Sequence, residues 1–184
     1  MNIHQLSVTY SPTEDRLLLR INTTTQEEIQ VWLTRRMTMN LMPHLPKVAA
    51  EQLALSAPVQ TPLLTEQDKQ VFADFKQHEH IRQADFSQPY QESEKKLLEQ
   101  ALVLTDLQMK PQADGMTLLV LQDRKTQGSE VRSLELRLKP HLIHGLLHLI
   151  QEVWPKTGWA DLASAPSNAH PALPSAPGPG SFLN

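Results

Sequence analysis

Three histidines recur along one predicted helix near the C-terminal end of the sequence, at the spacing of a metal-binding row. His141, His144 and His148 stand at i, i+3 and i+7, which places them within about 60° of one another on a helix. Because imidazole is a common zinc ligand, the row is the candidate site of a metal-dependent enzyme. The rest of this helix is mostly aliphatic, so we expect the three histidines to face solvent, and a polar helix face is the preferred interpretation.

A tryptophan and two arginines stand where the third predicted strand passes into a helix. Trp32 precedes Arg35 and Arg36, and it shares a predicted sheet face with Leu18 and Arg20. Aromatic and basic groups on an open sheet can stack on single-stranded nucleic acid and neutralise its phosphates. The corresponding face in the second half of the sequence carries Arg137, Lys139 and Leu119. The chain as a whole has 17 Lys and Arg against 20 Asp and Glu, so its net charge of −3 favours no broad attraction to nucleic acid.

Composition excludes several classes of protein. The chain has no cysteine, which rules out a disulfide scaffold, a Cys-ligated metal site and a cysteine nucleophile. No phosphate-binding glycine loop, nucleophile elbow or zinc-protease motif occurs, and we predict no cofactor. The carboxylate pairs Glu14-Asp15 and Glu27-Glu28 fall in predicted turns, where we expect them to be solvated.

These observations favour a non-enzymatic protein-interaction module, an assembly or regulatory factor that buries apolar and aromatic side chains against another protein. The candidate partner-binding residues are Trp32, Arg35, Arg36, Phe72, Phe75 and Phe182. Single-stranded nucleic-acid binding is the alternative, and a metal-dependent enzyme is the third interpretation. Met37, Met39 and Met42 cluster on one predicted helix, and spacing predicts core positions for Met37 and Met42.

The elements that must position these residues follow from hydrophobic periodicity. Alternating apolar residues predict three strands in the first part of the chain, with a helix from Arg35 that Pro43 and Pro46 interrupt. The same plan recurs about 101 to 105 residues later, with Pro140 as the first residue of its helix. The predicted strands cover residues 6–10, 16–23, 28–34, 104–109, 116–122 and 131–138.

The fold class is therefore α+β, with two antiparallel β-β-β-α units, residues 1–56 and 102–162, related by a pseudo-twofold axis. Residues 57–101 form a predicted helical insertion, with one of its helices over Glu92–Leu102. Eight acidic against five basic residues between positions 66 and 99 make this insertion acidic. Residues 163–184, rich in Pro, Ala, Ser and Gly, predict a disordered tail.

The segments Arg16–Ile21 and Trp32–Arg36 resemble the opening of small uncharacterised bacterial proteins. The resemblance covers about the first quarter of the chain and implies a bacterial cytoplasmic protein, without an activity. The start of the chain lacks the basic and apolar regions of a secretory signal, and no apolar window is long enough to span a bilayer. We therefore expect a cytoplasmic location and no membrane partner.

Overall fold

The first unit begins with an antiparallel meander of three strands. The structure is a computed structural model that describes residues 1, 3–56, 79, 89–124 and 131–159. In it, β1 (Ile3–Ser11), β2 (Arg16–Thr23) and β3 (Glu27–Thr34) pair in sequence order. Alternate side chains point to the same side of a strand, so the aliphatic residues collect on one face. That buried face comprises Val8, Leu17, Leu19, Ile21, Ile29, Val31 and Leu33.

Two helices follow β3 directly. The Thr34 hydroxyl accepts a hydrogen bond from the Met37 N–H at 3.2 Å, and this cap starts α1 (Arg35–Leu41). A short turn containing Pro43 separates α1 from α2 (Leu45–Ser56). The interruption near the prolines is confirmed, because proline cannot supply the N–H that a continuous helix requires.

The second unit repeats this order of elements. β6 (Asp106–Pro111), β7 (Thr117–Arg124) and β8 (Val131–Leu138) form an antiparallel sheet with β7 in the middle. α3 (Pro140–Val153) follows β8, and a 3-10 turn (Trp154–Thr157) ends it. The α+β class and the two β-β-β-α units are thus confirmed.

Between the units, the chain runs along the second edge of β3. β4 (Lys95–Lys96) and β5 (Leu102–Val103) each pair with β3 in parallel, which extends the first sheet to five strands. The predicted helix over Glu92–Leu102 is wrong, because this segment is extended or bent rather than helical.

The backbone of β3 explains this difference. An edge strand presents N–H and C=O groups that need partners. The Leu97 N–H donates to the Glu28 carbonyl at 2.8 Å, and the Leu104 N–H donates to the Trp32 carbonyl at 2.9 Å. Pairing with a distant strand therefore overrides the local helix preference of this segment.

α3 lies at the centre of the described structure. Every residue from position 142 to position 147 is buried, so the helix is enclosed on all sides along this stretch. It packs against β1 and α2 of the first unit. Ile143 and Ile150 are each 0 % exposed, and the two units share one hydrophobic core around them.

Part of the predicted organisation falls on residues that the structure does not describe. Most of the predicted insertion and the predicted disordered tail fall on residues 57–78, 80–88 and 160–184, which lie outside the described residues. Within the described ranges, no helix is both long and apolar enough to cross a membrane.

Candidate functional site

An apolar groove of about 620 Å³ lies between the two helices of the first unit and the first strand of the second sheet. Three thioethers line it: Met37 and Met39 on α1, and Met109 on β6. We call this surface the methionine groove. Its other lining residues are Asn40, Leu41, Pro43, His44, Lys47, Val48, Glu51 and Leu107.

The surrounding elements explain how the methionine groove forms. Leu107 and Met109 lie opposite Leu121 and Leu119 of β7, so their side chains belong to the core face of the second sheet. α2 is held beside that sheet, because the buried Gln52 donates to the Gly115 carbonyl at 2.8 Å. The aliphatic face of the second sheet therefore reaches the groove on β6, the first strand of that sheet.

Charged side chains stand at the rim. Lys47 and Glu51 lie one helical turn apart on α2, and both are exposed, as is His44 in the preceding turn. The methionine groove thus has exposed charges of both signs along its α2 side, next to apolar lining residues, an arrangement typical of a binding surface with a polar rim.

The predicted Trp32 surface is separate from the methionine groove. Trp32 lies opposite Leu18 on the outer face of the first sheet, as predicted, and is half-buried. Arg35 is half-buried and Arg36 is exposed, and neither lines the groove. The other candidate partner-binding residues, Phe72, Phe75 and Phe182, lie outside the described residues.

Residues 89–97, which we call the polar strap, cross the outer face of the first sheet. Gln5 of β1 donates to the Pro89 carbonyl at 3.2 Å. Asn22 of β2 donates from Nδ2 to the Gln91 carbonyl at 2.9 Å. The strap therefore reaches over two neighbouring strands before it joins the edge of β3.

The polar strap also engages Arg20, a residue that the nucleic-acid interpretation uses. Its guanidinium pairs with the Glu92 carboxylate and lies 5.1 Å from the centroid of the Tyr90 ring. The charge of Arg20 is thereby compensated within the protein, which weakens this face as a surface for phosphates.

A buried carboxylate lies under the polar strap. Glu28 is 3 % exposed and accepts hydrogen bonds from the Tyr90 hydroxyl at 3.0 Å and from Gln30 Nε2 at 2.6 Å. The expectation that Glu28 is solvated in a turn is wrong, because it lies within β3 and the strap covers it. Burial, followed by the hydrogen bond to Glu28, raises the pKa of Tyr90 far above its usual range, so the phenol stays a donor.

Replacing Tyr90 by Phe should remove one donor from this buried carboxylate. We expect a loss of about 1–3 kcal/mol in the free energy of unfolding, since the change removes a hydrogen bond from a buried acceptor. Urea denaturation measures the loss. Tyr10→Phe is the matched control, because the Tyr10 hydroxyl donates at 3.0 Å to Asp15, an exposed residue that keeps the Trp159 indole N–H as a donor after the change. Equal losses in the two variants would contradict the role of the strap.

Glu27 ties the polar strap to β3 and predicts a pH dependence. The Lys95 ammonium lies 2.6 Å from Glu27 Oε1, and this bond, then that of Thr25, lowers the pKa of the carboxyl below 4.5. A lowered pKa stabilises the fold above the unfolded value, and the gain is lost as pH falls through the folded value. We expect Glu27→Gln to reduce stability at pH 7 and to have no effect at the acid end of a pH series of urea titrations.

The corresponding face of the second sheet is also internally paired. Arg137 lies opposite Leu118 and forms an ion pair with Asp114. The prediction that Leu119 shares this face is wrong. Leu119 is 3 % exposed and lies opposite Leu136 in the core. Alternate residues of β7 face opposite sides of the sheet, and the register places Leu118 rather than Leu119 on the same face as Arg137.

The histidine row is not assembled as a metal site. His144 is 4 % exposed, so the prediction that all three histidines face solvent is wrong for this residue, because α3 is enclosed by both units. His148 lies 3.8 Å from Glu152 one turn later, and His141 is half-buried. Among the residues that the structure describes, no three potential metal-ligating His, Cys, Asp or Glu side chains come together.

Within the described part of the chain, the methionine groove is the candidate binding surface. It combines an apolar floor, soft unbranched side chains and exposed charges. The sequence pattern indicates only two of its three methionines, because Met109 lies on a strand that is distant in sequence. No protein-family model, curated protein or solved structure shows a significant match to this chain.

Proposed function

We propose that this protein is a non-enzymatic interaction module, an assembly or regulatory factor that binds an apolar segment of another protein in the methionine groove. The observation that carries the proposal is the convergence of Met37, Met39 and Met109 on one groove of about 620 Å³. Such a volume lies within the range of about 300–1,000 Å³ that binding sites commonly have.

Methionine side chains make this groove suitable for peptides rather than for one rigid ligand. They are unbranched, have three rotatable bonds and carry a polarizable sulfur, so they adapt to the side chains of a partner. All three are partly buried, so each packs on the protein and also exposes part of its surface. The apolar contact supplies affinity, and the charges of Lys47 and Glu51 orient the bound segment.

The groove lies at the junction of the two units. We propose that these units are related by a pseudo-twofold axis, which the equivalent order of strands and the start of a helix directly after β3 and β8 support. Arg35 begins the helix in the first unit, and Pro140 begins it in the second. In this arrangement the helices of the first unit and β6 of the second form the two walls of the methionine groove.

Site-specific photo-crosslinking tests the proposal. A benzophenone amino acid placed at Met39 should yield one defined adduct in the cells that produce the protein. The same group at Val131, which is 49 % exposed on a distant strand, is the control and should not yield that adduct. Met109→Asp in the same chain should abolish the adduct from position 39, because a carboxylate on the apolar floor is costly to desolvate.

The products distinguish the alternatives. An adduct with another protein that depends on Met109 supports the proposal. An adduct with a second copy of the chain would make the groove a dimer interface, and identical adducts from positions 39 and 131 would make the contact non-specific. Either result overturns the proposed function.

A further inference from the structure

β6 has an edge that no strand of the described chain covers. The second sheet has the order β6-β7-β8, so β7 pairs with one side of β6, and the opposite side borders the methionine groove. Edge strands present a row of backbone N–H and C=O groups that can pair with a further strand. The edge and the groove thus form one continuous surface.

The strand register shows which backbone groups point to that edge. The Gln112 N–H donates to the Met116 carbonyl at 2.7 Å, so residue 112 faces β7. In an antiparallel pair the direction alternates along the strand, so Lys110 and Gln108 also face β7 with their backbone groups. Leu107 and Met109 therefore direct their backbone N–H and C=O groups toward the free edge.

Pro111 agrees with this assignment. By the same alternation, residue 111 faces the free edge, and proline has no N–H to offer there. Within sheets proline is confined to such edge positions, because facing a neighbouring strand it would remove a ladder hydrogen bond.

The course of β3 explains why the place beside β6 is open. β3 runs parallel to β5, and the last backbone hydrogen bond along this pairing is donated by the Leu104 N–H to the Trp32 carbonyl. After Thr34 the chain leaves the sheet as α1, whereas the strand that it accompanied continues as β6. Among the described residues, no strand therefore continues the line of β3 beside β6, on the side where α1, α2 and β6 line the methionine groove.

We propose that the partner segment occupies this position as an added β-strand, hydrogen-bonded to Leu107 and Met109; this rests on the proposed function. Strand addition supplies main-chain hydrogen bonds, and alternate side chains supply specificity. Side chains on one face of the added strand would contact the methionines and leucines of the groove. Those on the other face would lie beside Gln108 and Lys110, which are exposed.

The exposed charge on β6 indicates which side chains the partner segment should carry. Lys110 carries the exposed positive charge on the outer face of β6, and no described acidic side chain forms an ion pair with it. Like charges opposite each other across strands are unfavourable, and opposite charges are favourable. The partner segment is therefore an extended peptide in which apolar residues alternate with acidic ones.

Synthetic peptides test the inference. The probes are a short peptide of alternating Val and Glu, and a helix-forming peptide with the same composition whose apolar residues recur at i, i+3 and i+4. We expect the alternating peptide to bind more tightly in isothermal titration calorimetry. Methylation of its backbone nitrogens at alternate residues should weaken binding about tenfold in one register, and much less in the other, since only one register faces β6.

Paired variants of the protein give a second readout. Met109→Pro and Met109→Ala both delete the thioether, but only proline also deletes the outward N–H. We expect Met109→Pro to bind the alternating peptide about tenfold more weakly than Met109→Ala. Lys110→Glu should reverse the preference from a Val/Glu peptide to a Val/Lys peptide.

The outcomes separate the two proposals. If the helical peptide binds in the groove more tightly, or if the two methylation registers weaken binding equally, strand addition is wrong while the proposed function stands. If neither peptide binds and photo-crosslinking from position 39 also yields no partner, the proposed function is wrong. Protection of β1 or β8 amides from hydrogen exchange, in place of those of Leu107 and Met109, would also overturn strand addition.

Discussion

Replacing Trp159 by Ala should lower the free energy of unfolding by about 3–5 kcal/mol, the usual cost of deleting a large buried aromatic side chain. Trp159 is 1 % exposed, and its ring packs edge-to-face on Tyr10 and Trp154 with centroids 5.9 Å and 5.7 Å away. Its indole Nε1 donates to Asp15 Oδ1 at 2.7 Å. Urea or thermal denaturation measures the loss.

The matched control is Trp154→Ala. Trp154 is half-buried, so its removal deletes less buried surface, and the loss should be clearly smaller. The comparison tests whether the turn at Asp15 anchors the end of the described chain. A loss below about 1 kcal/mol for Trp159→Ala would contradict this role, since surface substitutions have effects of that size or less.

The second large effect is expected for Arg132→Ala. Asp123, which is 5 % exposed, lies opposite Arg132 in the β7–β8 pair, and the two side chains form an ion pair. Arg132 also donates from Nη2 to the Ala101 carbonyl at 3.3 Å, and the Val103 N–H donates to Asp123 Oδ2 at 3.3 Å. Removing the arginine leaves a buried carboxylate without its cation, and we expect a loss of about 2–4 kcal/mol.

The neighbouring ion pair supplies a control for this variant. Arg124 and Asp106 approach to 3.1 Å, but both side chains are about half exposed. Arg124→Ala should therefore cost less than about 1 kcal/mol. Similar losses for the two arginines in denaturant titrations would show that the Asp123 pair does not hold the segment between the sheets.

The sequence predicts the strands well, because one face of each sheet is buried. The alternation of Leu17, Leu19 and Ile21 specifies a face, and a shift by one residue would expose all three. Helix starts are predicted for the same kind of local reason: Pro140 suits the first turn, and the chain leaves the sheet directly after Thr34.

Contacts between distant segments account for the wrong predictions. Residues 92–102 have the composition of a helix, but backbone groups of this segment form hydrogen bonds with the open edge of β3 instead. Asp15 lies in a turn, as predicted, yet it is not simply solvated, because Tyr10 and Trp159 donate to it. His144 is buried because both units close around α3. A local sequence pattern cannot predict these contacts, because most of the partners are distant in the sequence.

The methionine groove is predicted in part by a local sequence pattern and formed in part by contacts between distant segments. The cluster of Met37 and Met39 is visible in the sequence, and the predicted core position of Met37 is only partly correct, since this side chain packs on the core and also lines the groove. Met109 stands about 70 positions later in the sequence. Only the placement of β6 beside α1 and α2 shows that the three belong to one surface.

Methionine methyl NMR tests this surface most directly. The chain has six methionines, so a protein labelled with ¹³C at the methionine methyl groups gives one signal for each. Three of the methyl groups line the groove, namely those of Met37, Met39 and Met109, and three do not, namely those of Met1, Met42 and Met116. Titration with the partner segment recovered by photo-crosslinking should shift or broaden the first three signals and leave the other three unchanged. Binding that leaves the groove methyl groups undisturbed, or that shifts all six alike, would contradict the account.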